Sequence, residues 1–232
     1  MRHQSRTENP CETVLVDLDG VLLRGDAFTN VVVRALLQRP WRMPAAAGLL
    51  ALRAAAPRWG SRRTEISRAL VRLALRGHDA DSYARLAEAT GASLGLGRKR
   101  VDALVERVEA HRVDGLRVVI VTASERQLVR SFLDAVGLKE VELVATDLEF
   151  SDENQVDICI YNLGPQKVRS VVASGIDPGR CLFYTDSAAD LPLIRLVASC
   201  TLVDPSPATL RAVGEANLTT PLQTLWVNRR PK

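Results

Sequence analysis

The sequence predicts an α/β fold in which a parallel sheet is interrupted by a block of helices. After residue 112, short apolar runs alternate with helical patterns, which is typical of right-handed β-α-β crossovers. Between the first apolar run and the second, only helical patterns occur. We therefore expect an α/β core at 11–25 and 112–232, a helical insertion at 26–111 above the strand ends, and a flexible tail at 1–10.

The first predicted strand, 13–18, ends in two carboxylates that are followed by Gly20. Residues two apart in a strand point the same way, so Asp17 and Asp19 are expected to stand together at its carboxyl end. Ligands bind at that edge of open parallel sheets. Two close carboxylates repel each other, and a cation such as Mg²⁺ would relieve the repulsion. Taken alone, these residues could equally form an acidic turn without a role.

The insertion is predicted to be helical throughout. Its third helix has the clearest apolar face, formed by Ile66, Ala69, Leu70, Leu73 and Ala74. Asp81 is predicted to cap the fourth helix, which the glycine-rich segment after residue 90 ends. The predicted helices cover 29–38, 45–56, 64–76, 81–90 and about 101–108.

The second half of the core is predicted to alternate strands and helices. Ser124 is predicted to cap the helix that follows the second strand, and Gly137 to end it. Pro192 is compatible with its helix only near the first turn. The predicted strands are 117–122, 142–146, 156–161, 180–185 and 200–203, and the helices are about 125–136, 165–174, 189–199 and one that begins at 207.

The composition is that of a soluble protein of a reducing compartment. Apolar residues make up 47% of the chain, and no run reaches the roughly 18 apolar residues of a membrane span. The first residues are polar and do not resemble a signal peptide. The four cysteines form no pair spaced like a zinc or redox motif. We therefore expect a cytoplasmic protein.

The positive charge is concentrated in the insertion. Residues 26–111 hold 15 Lys+Arg against 8 Asp+Glu, whereas the whole chain carries only +4. Arg68 and Arg72 lie on one face of the third predicted helix, as a solvated stripe or as a contact for an anionic substrate. No nucleic-acid motif is present, so we expect no nucleic-acid partner.

An apolar run at 45–56 has Trp41, Met43 and Trp59 nearby, together with several arginines. We expect this run to pack inside the insertion. The alternative is an interfacial element that would hold the protein against the inner face of a membrane.

Chemistry-bearing residues follow four of the predicted strands or begin the next helix. A hydroxyl, a fixed cation and several carboxylates at one edge suit phosphoryl transfer through a carboxylate nucleophile. Lys167 is notable because the chain has four lysines against 27 arginines, and lysine is a compact point charge. The four features are Asp17 with Asp19, Thr122 with Ser124, Lys167, and Asp186 with Asp190.

These segments, DLDGV, IVTAS, Lys167 and DSAAD, resemble the four motifs of the haloacid dehalogenase (HAD) superfamily in order and spacing. The resemblance implies a Rossmann-like parallel core with an inserted helical cap of the C1 type. The hydroxyls after the second strand and the segment NLGPQK resemble the phosphoserine-phosphatase-like branch, subfamily IB. The resemblance to this superfamily further implies a Mg²⁺-dependent phosphatase that acts through an aspartyl-phosphate.

The same resemblance implies a role for each motif residue. Asp17 would be the nucleophile and Asp19 the general acid and base. Thr122 would bind the phosphoryl group, and Lys167 would stabilise it together with Asp17. Mg²⁺ would be held by Asp17, Asp186 and the backbone carbonyl of Asp19, with Asp190 in support. Ser124, Arg68 and Arg72 are weaker candidates for substrate contact.

The substrate is left open. Thr185 stands where the family usually has glycine, and the chain lacks the DxDST and GDGxND patterns of ordinary phosphoserine phosphatases. The segment DSAADLP resembles HAD domains of lipid and polyprenyl metabolism, so we expect a small or a lipid-linked phosphomonoester as the substrate. A non-catalytic phosphate-binding or regulatory protein is the alternative.

Overall fold

A seven-stranded sheet forms the centre of the computed structural model, which describes residues 11–56, 61–151 and 155–227. The tail at 1–10 and Trp59 lie outside these ranges. The strands lie in the order β4-β3-β2-β1-β5-β6-β7, and only β3 and β4 pair in antiparallel fashion. They are β1 (Thr13–Val16), β2 (Arg117–Glu125), β3 (Glu142–Phe150), β4 (Val156–Ile160), β5 (Cys181–Thr185), β6 (Ser199–Val203) and β7 (Leu222–Leu225).

Helices cover the sheet and fill the insertion. Short 3₁₀ turns precede α2 (Pro40–Arg42), β5 (Pro178–Arg180) and α8 (Ala188–Asp190). The α-helices of the described residues are α1 (Ala27–Leu37), α2 (Met43–Ala55), α3 (Ser61–Leu75), α4 (Ala80–Gly95), α5 (Asp102–Val113), α6 (Arg126–Ala135), α7 (Pro165–Ala173), α8 (Leu191–Ile194) and α9 (Pro207–Glu215).

Strand β1 lies between β2 and β5 and is buried along its whole length. Val14 and Val16 pack into one apolar cluster, and Leu15 packs into another on the opposite face of the sheet. This alternation follows from the two-residue period of a strand that is covered on both faces. Val16 is in register with Ile120 and Tyr184, so the carboxyl ends of three strands meet at one edge.

The α/β class and the largely parallel sheet are confirmed. Strand β7 was not predicted, because its residues are mostly exposed and carry no apolar pattern. The predicted helix at 189–199 is wrong in length: a 3₁₀ turn is followed by the single turn α8, and Pro192 lies at its start.

Two predicted caps are also wrong. Asp79, not Asp81, caps α4 by accepting a hydrogen bond from the backbone N–H of Ser82 at 2.8 Å. Helix α4 then continues through Gly91 to Gly95, past the predicted break. Glu125, not Ser124, caps α6 by accepting from Gln127 N–H, because β2 extends three residues further than expected.

Helix α4 of the insertion packs closely along α6. Gly91 makes this approach possible, since a Cβ there would lie 2.4 Å from the carbonyl oxygen of Leu128. The buried Tyr83 hydroxyl donates to Glu125 at 2.6 Å and adds a second link. Helix α5, the last helix before β2, packs against β2 itself.

The expectation that the apolar run at 45–56 packs inside the insertion is wrong. The run forms α2, which lies against α3, but only Ala46 of its thirteen residues is buried. Among the described residues, no helix is long and apolar enough to cross a membrane.

Replacing Gly91 with alanine tests the α4–α6 contact. The added methyl group must displace backbone atoms of α6, so the free energy of unfolding should fall by about 1–3 kcal/mol. Urea denaturation measures it. Gly48→Ala is the matched control, since a Cβ in that helix meets nothing within 4 Å, and it should raise stability by up to about 1 kcal/mol. Equal effects at both positions would contradict the close packing.

Candidate active site

Asp17 lies directly after β1 and is 6% exposed. Its backbone N–H donates to the carbonyl of Tyr184 at 2.9 Å, which continues the pairing of β1 with β5. One carboxylate oxygen, Oδ1, accepts from the backbone N–H of Leu18 at 2.8 Å. The other, Oδ2, lies 3.2 Å from Lys167 Nζ. Both oxygens are therefore held in place at the carboxyl edge of the central strand.

Lys167 reaches Asp17 from the first turn of α7. Gly164 precedes this helix with φ +58° and ψ −125°, a conformation open to glycine, and Pro165 occupies the first helical position. The lysine is 1% exposed, and its ammonium group also lies 2.8 Å from Asp190 Oδ1. One buried cation thus bridges two buried carboxylates. We call Lys167, Asp17 and Asp190 the ion triad.

Asp190 is held by Thr185, the residue that replaces the glycine usual at this position in the family. The hydroxyl of Thr185 donates to Asp190 Oδ2 at 2.6 Å and accepts from the backbone N–H of Ser187 at 3.1 Å. The side chain of Thr185 is fully buried. A glycine at this position could not supply that hydrogen bond.

The ion triad places two buried carboxyl groups against one ammonium group. Burial raises the pKa of Asp17 well above its usual range; Lys167 opposes this shift, and Asp190 and Asp19 reinforce it. Burial alone would lower the pKa of Lys167, but Asp17 and Asp190 together raise it. Lys167 is therefore protonated, and the site has a deficit of positive charge.

The carboxylate of Asp19 is bonded to the start of α1 and to β2. Its Oδ1 accepts from the backbone N–H of Ala27 at 2.6 Å, and its Oδ2 accepts from the hydroxyl of Ser124 at 2.7 Å. Ser124 accepts in turn from Phe28 N–H at 3.2 Å. Burial and the nearby Asp26 raise the pKa of Asp19 to about 7. Near neutral pH this group can both give and take a proton.

Asp186 follows β5 and packs against the turn after Asp19. A Cβ on Gly20 would lie 2.1 Å from the carboxylate carbon of Asp186, and Gly20 has φ +80°. Burial and the neighbouring Asp190 raise the pKa of Asp186 to about 6. The turn can thus approach this carboxylate only because residue 20 is glycine.

The donor set fits a hard divalent cation. Oxygen ligands suit Mg²⁺, and a cation would oppose the raised pKa values of Asp17 and Asp186. No three His, Cys, Asp or Glu side chains converge on a metal position among the described residues. Both side-chain oxygens of Asp19 accept hydrogen bonds, and a ligand role for its backbone carbonyl stays a prediction.

Thr122 is fully buried near the end of β2, and its hydroxyl accepts from Ser124 N–H at 3.0 Å. Asn162, whose role the sequence did not indicate, donates from Nδ2 to the carbonyl of Thr122 at 2.9 Å and to that of Val144 at 3.1 Å. Asn162 Oδ1 is buried without a partner among the described residues. Asn162 therefore ties β2 and β3 together.

The two arginine candidates lie on α3. Arg72 donates to both carboxylate oxygens of Asp157 on β4, at 2.8 and 2.9 Å. Arg68 lies 3.9 Å from Glu65, and its Nε is buried without a partner among the described residues. Arg72 is thus engaged by the core, and substrate contact through either residue stays a prediction.

A cavity of about 790 Å³ opens between the insertion and the loops of the site. Gly164 and Ser187, which neighbour the Lys167 helix and Asp186, form one side. Arg53 and Arg63 line the other side, and Arg195 lies at the end of α8. The described lining includes no acidic residue, so the cavity suits an anion.

Comparison with known proteins identifies the family of the chain. Residues 14–195 match the family of haloacid dehalogenase-like hydrolases. The chain belongs to this family. A Streptomyces azureus protein described as an inhibition of morphological differentiation protein is 33% identical over 116 residues. The match spans 47% of this chain and 41% of that protein.

Solved structures share the fold. A Bordetella pertussis protein of unknown function superposes with a TM-score of 0.71 and 22% identity, over 92% of this chain and 98% of that one. A phospho-aspartyl intermediate analogue of phosphoserine phosphatase superposes with a TM-score of 0.59 and 13% identity, over 95% and 94%. The expected HAD fold and its resemblance to phosphoserine phosphatase are confirmed.

Gly20→Ala should displace the carboxylate of Asp186 and weaken binding of Mg²⁺ at least tenfold in a calorimetric titration. Gly25→Ala is the matched control, because Gly25 also has positive φ, +101°, but a Cβ there meets nothing within 4 Å. Both changes strain the backbone, so only the contact with Asp186 separates them. Equal affinities in the two variants would refute this contact.

Thr185→Val should lower turnover by about 10- to 100-fold, because loss of a buried hydrogen bond to a charged group costs about 1.5–3 kcal/mol. Thr185→Ser keeps the hydroxyl and should restore most of the rate. Steady-state assays with the substrate identified for the wild type measure both variants. A valine variant as active as wild type would show that Asp190 needs no support from residue 185.

Proposed function

We propose that the protein hydrolyses a phosphomonoester in a Mg²⁺-dependent reaction with Asp17 as the nucleophile. The ion triad carries this proposal. It places a buried carboxylate, oriented by Lys167 and Leu18 N–H, at the carboxyl edge of the sheet, where ligands bind in open α/β folds. The structural similarity to a phospho-aspartyl analogue of phosphoserine phosphatase supports the same chemistry.

In the first step, an oxygen of Asp17 attacks phosphorus and the bond from phosphorus to the ester oxygen breaks. Asp19, with a pKa of about 7, gives its proton to the departing oxygen. Lys167 lies close enough to Asp17 to stabilise the phosphoryl oxygens as well. The product alcohol leaves, and the phosphoryl group remains on Asp17.

In the second step, the Asp19 carboxylate takes a proton from water. The water oxygen attacks phosphorus, the bond to Asp17 breaks, and inorganic phosphate is released. Mg²⁺, held by the carboxylates of Asp17 and Asp186 and the carbonyl of Asp19, would neutralise charge on the phosphoryl group. Asp190 and Thr185 keep Lys167 in position throughout.

The arginine-lined cavity is where the remainder of the substrate would bind. Its arginines suit a substrate with a further anionic group, and Arg53 belongs to the apolar helix α2. Because the apolar helix α2 lies beside the cavity, a lipid- or polyprenyl-linked phosphomonoester is a second candidate substrate besides a small soluble one. A phosphate-binding protein without catalysis is less well supported, because competent residues fill each motif position.

Phosphate release tests the proposal across a panel of soluble and lipid-linked phosphomonoesters, with Mg²⁺ and with a chelator. The wild type should turn over at least one member only with the metal. Asp17→Asn should lose roughly three orders of magnitude or more, because amide oxygen is a poor nucleophile.

Asp177→Asn is the matched control, the same change at an exposed residue near the amino end of β5, and it should stay active. Turnover by the Asp17→Asn variant at the wild-type rate would exclude Asp17 as the nucleophile. A folded wild type that binds Mg²⁺ and phosphate but releases none from any ester would favour the binding role.

A further inference from the structure

Helix α2 presents an apolar surface to solvent. Ten of its thirteen residues are exposed, and all ten are apolar residues, glycine or proline. At 100° per residue these positions cover roughly 220° of the helix circumference. The exposed fractions are 44% for Met43, 48% for Leu50 and 60% for Leu52, and Trp41 just before the helix is 71% exposed. We call Trp41 and these ten residues the α2 face.

The segment around this face carries positive charge alone. From residue 27 to residue 64 the sequence has seven arginines and no aspartate, glutamate or lysine. Arg39 and Arg42 flank the start of α2 and donate to backbone carbonyls at the end of α3, including Gly77 O and Leu73 O. Such bonds orient the guanidinium groups, and no carboxylate of the residues that the structure describes forms a salt bridge with either arginine.

Charge decides between the possible occupants of the α2 face. A second copy of the chain would bring seven more arginines against the first seven, which repel. An anionic bilayer offers the opposite charge over a broad area and an apolar layer just beneath it. A helix that lies in the interface buries its apolar side while arginine and tryptophan remain at the headgroup level.

We propose that the α2 face binds the surface of an anionic lipid bilayer, with α2 lying in the plane of the interface. Thirteen residues make a helix of about 20 Å, long enough to lie in the interface and too short to span it. The binding needs none of the catalytic residues, so it stands independently of the proposed phosphatase activity. One wall of the arginine-lined cavity is Arg53 of the same helix, which would bring that cavity close to the bilayer.

Co-sedimentation with vesicles tests the proposal. Vesicles of phosphatidylcholine alone are compared with vesicles that also contain phosphatidylglycerol; both lipids are phosphodiesters and so are not phosphatase substrates. The protein should bind the anionic vesicles and lose affinity as salt rises. Asp17→Asn should bind equally well. Absence of binding to anionic vesicles at low salt would overturn the proposal.

A matched pair of variants separates the contribution of the α2 face to vesicle binding from the effect of a change in net charge. Leu50→Glu with Leu52→Glu should weaken binding at least tenfold. Val172→Glu with Leu210→Glu makes the same change at residues of α7 and α9 that are 55% and 40% exposed, and should weaken it much less. Circular dichroism melts show that both variants fold. Equal losses in the two variants would overturn the proposal.

A spectroscopic measurement needs no change in α2. In a Trp59→Phe, Trp226→Phe variant, Trp41 is the remaining tryptophan. Its emission should shift to shorter wavelength when anionic vesicles are added, and should stay unchanged with phosphatidylcholine alone. An unchanged emission in the presence of bound vesicles would show that another surface makes the contact. Dimerisation through α2, detected by sedimentation velocity and lost in the Leu50→Glu, Leu52→Glu variant, would also overturn the proposal.

Discussion

The buried ion triad is the constraint on which the rest of the site depends. Lys167 lies within 3.2 Å of Asp17 and 2.8 Å of Asp190. Removing one member of a buried ion pair typically costs about 3–5 kcal/mol, because the partner charge is left without compensation. Three parts of the chain, β1, α7 and the turn after β5, must therefore meet in one arrangement. The parallel register of β1 and β5 and the glycine before α7 make that meeting possible.

The features that the sequence predicted correctly are those with a strong local signal. Buried parallel strands need unbroken apolar runs, so β1, β2 and β5 could be recognised, and Asp17 and Asp186 follow β1 and β5 at one edge of the sheet. The caps of α4 and α6 were mispredicted because several polar residues near each helix start can accept the same hydrogen bonds. Strand β7 and the short α8 are set by tertiary contacts. No local sequence pattern predicts either element.

The site shows the same division between local and spatial information. Asp17 and Lys167 are joined in the structure, as the motif order had suggested. The roles of Thr185 and Asn162 depend on contacts with Asp190 and with the backbone of β2, and no motif in the sequence indicates these contacts. The exposure of α2 was mispredicted for a related reason: an apolar run is compatible with a buried helix and with an unpartnered one.

The bonds around Asp19 tie the acid to the insertion. Its two oxygens hold Ala27 directly and Phe28 through Ser124, and these are the first two residues of α1. Helix α1 cannot swing away from the sheet unless both bonds break or the carboxyl group moves with it. Hydrogen bonds to an ionised carboxylate are stronger than those to a neutral carboxyl group. Protonation of Asp19 therefore weakens both of its bonds to the start of α1. The protonation of Asp19 and the orientation of α1 are therefore thermodynamically linked. Protonation favours release of α1 from the sheet, and release of α1 favours protonation.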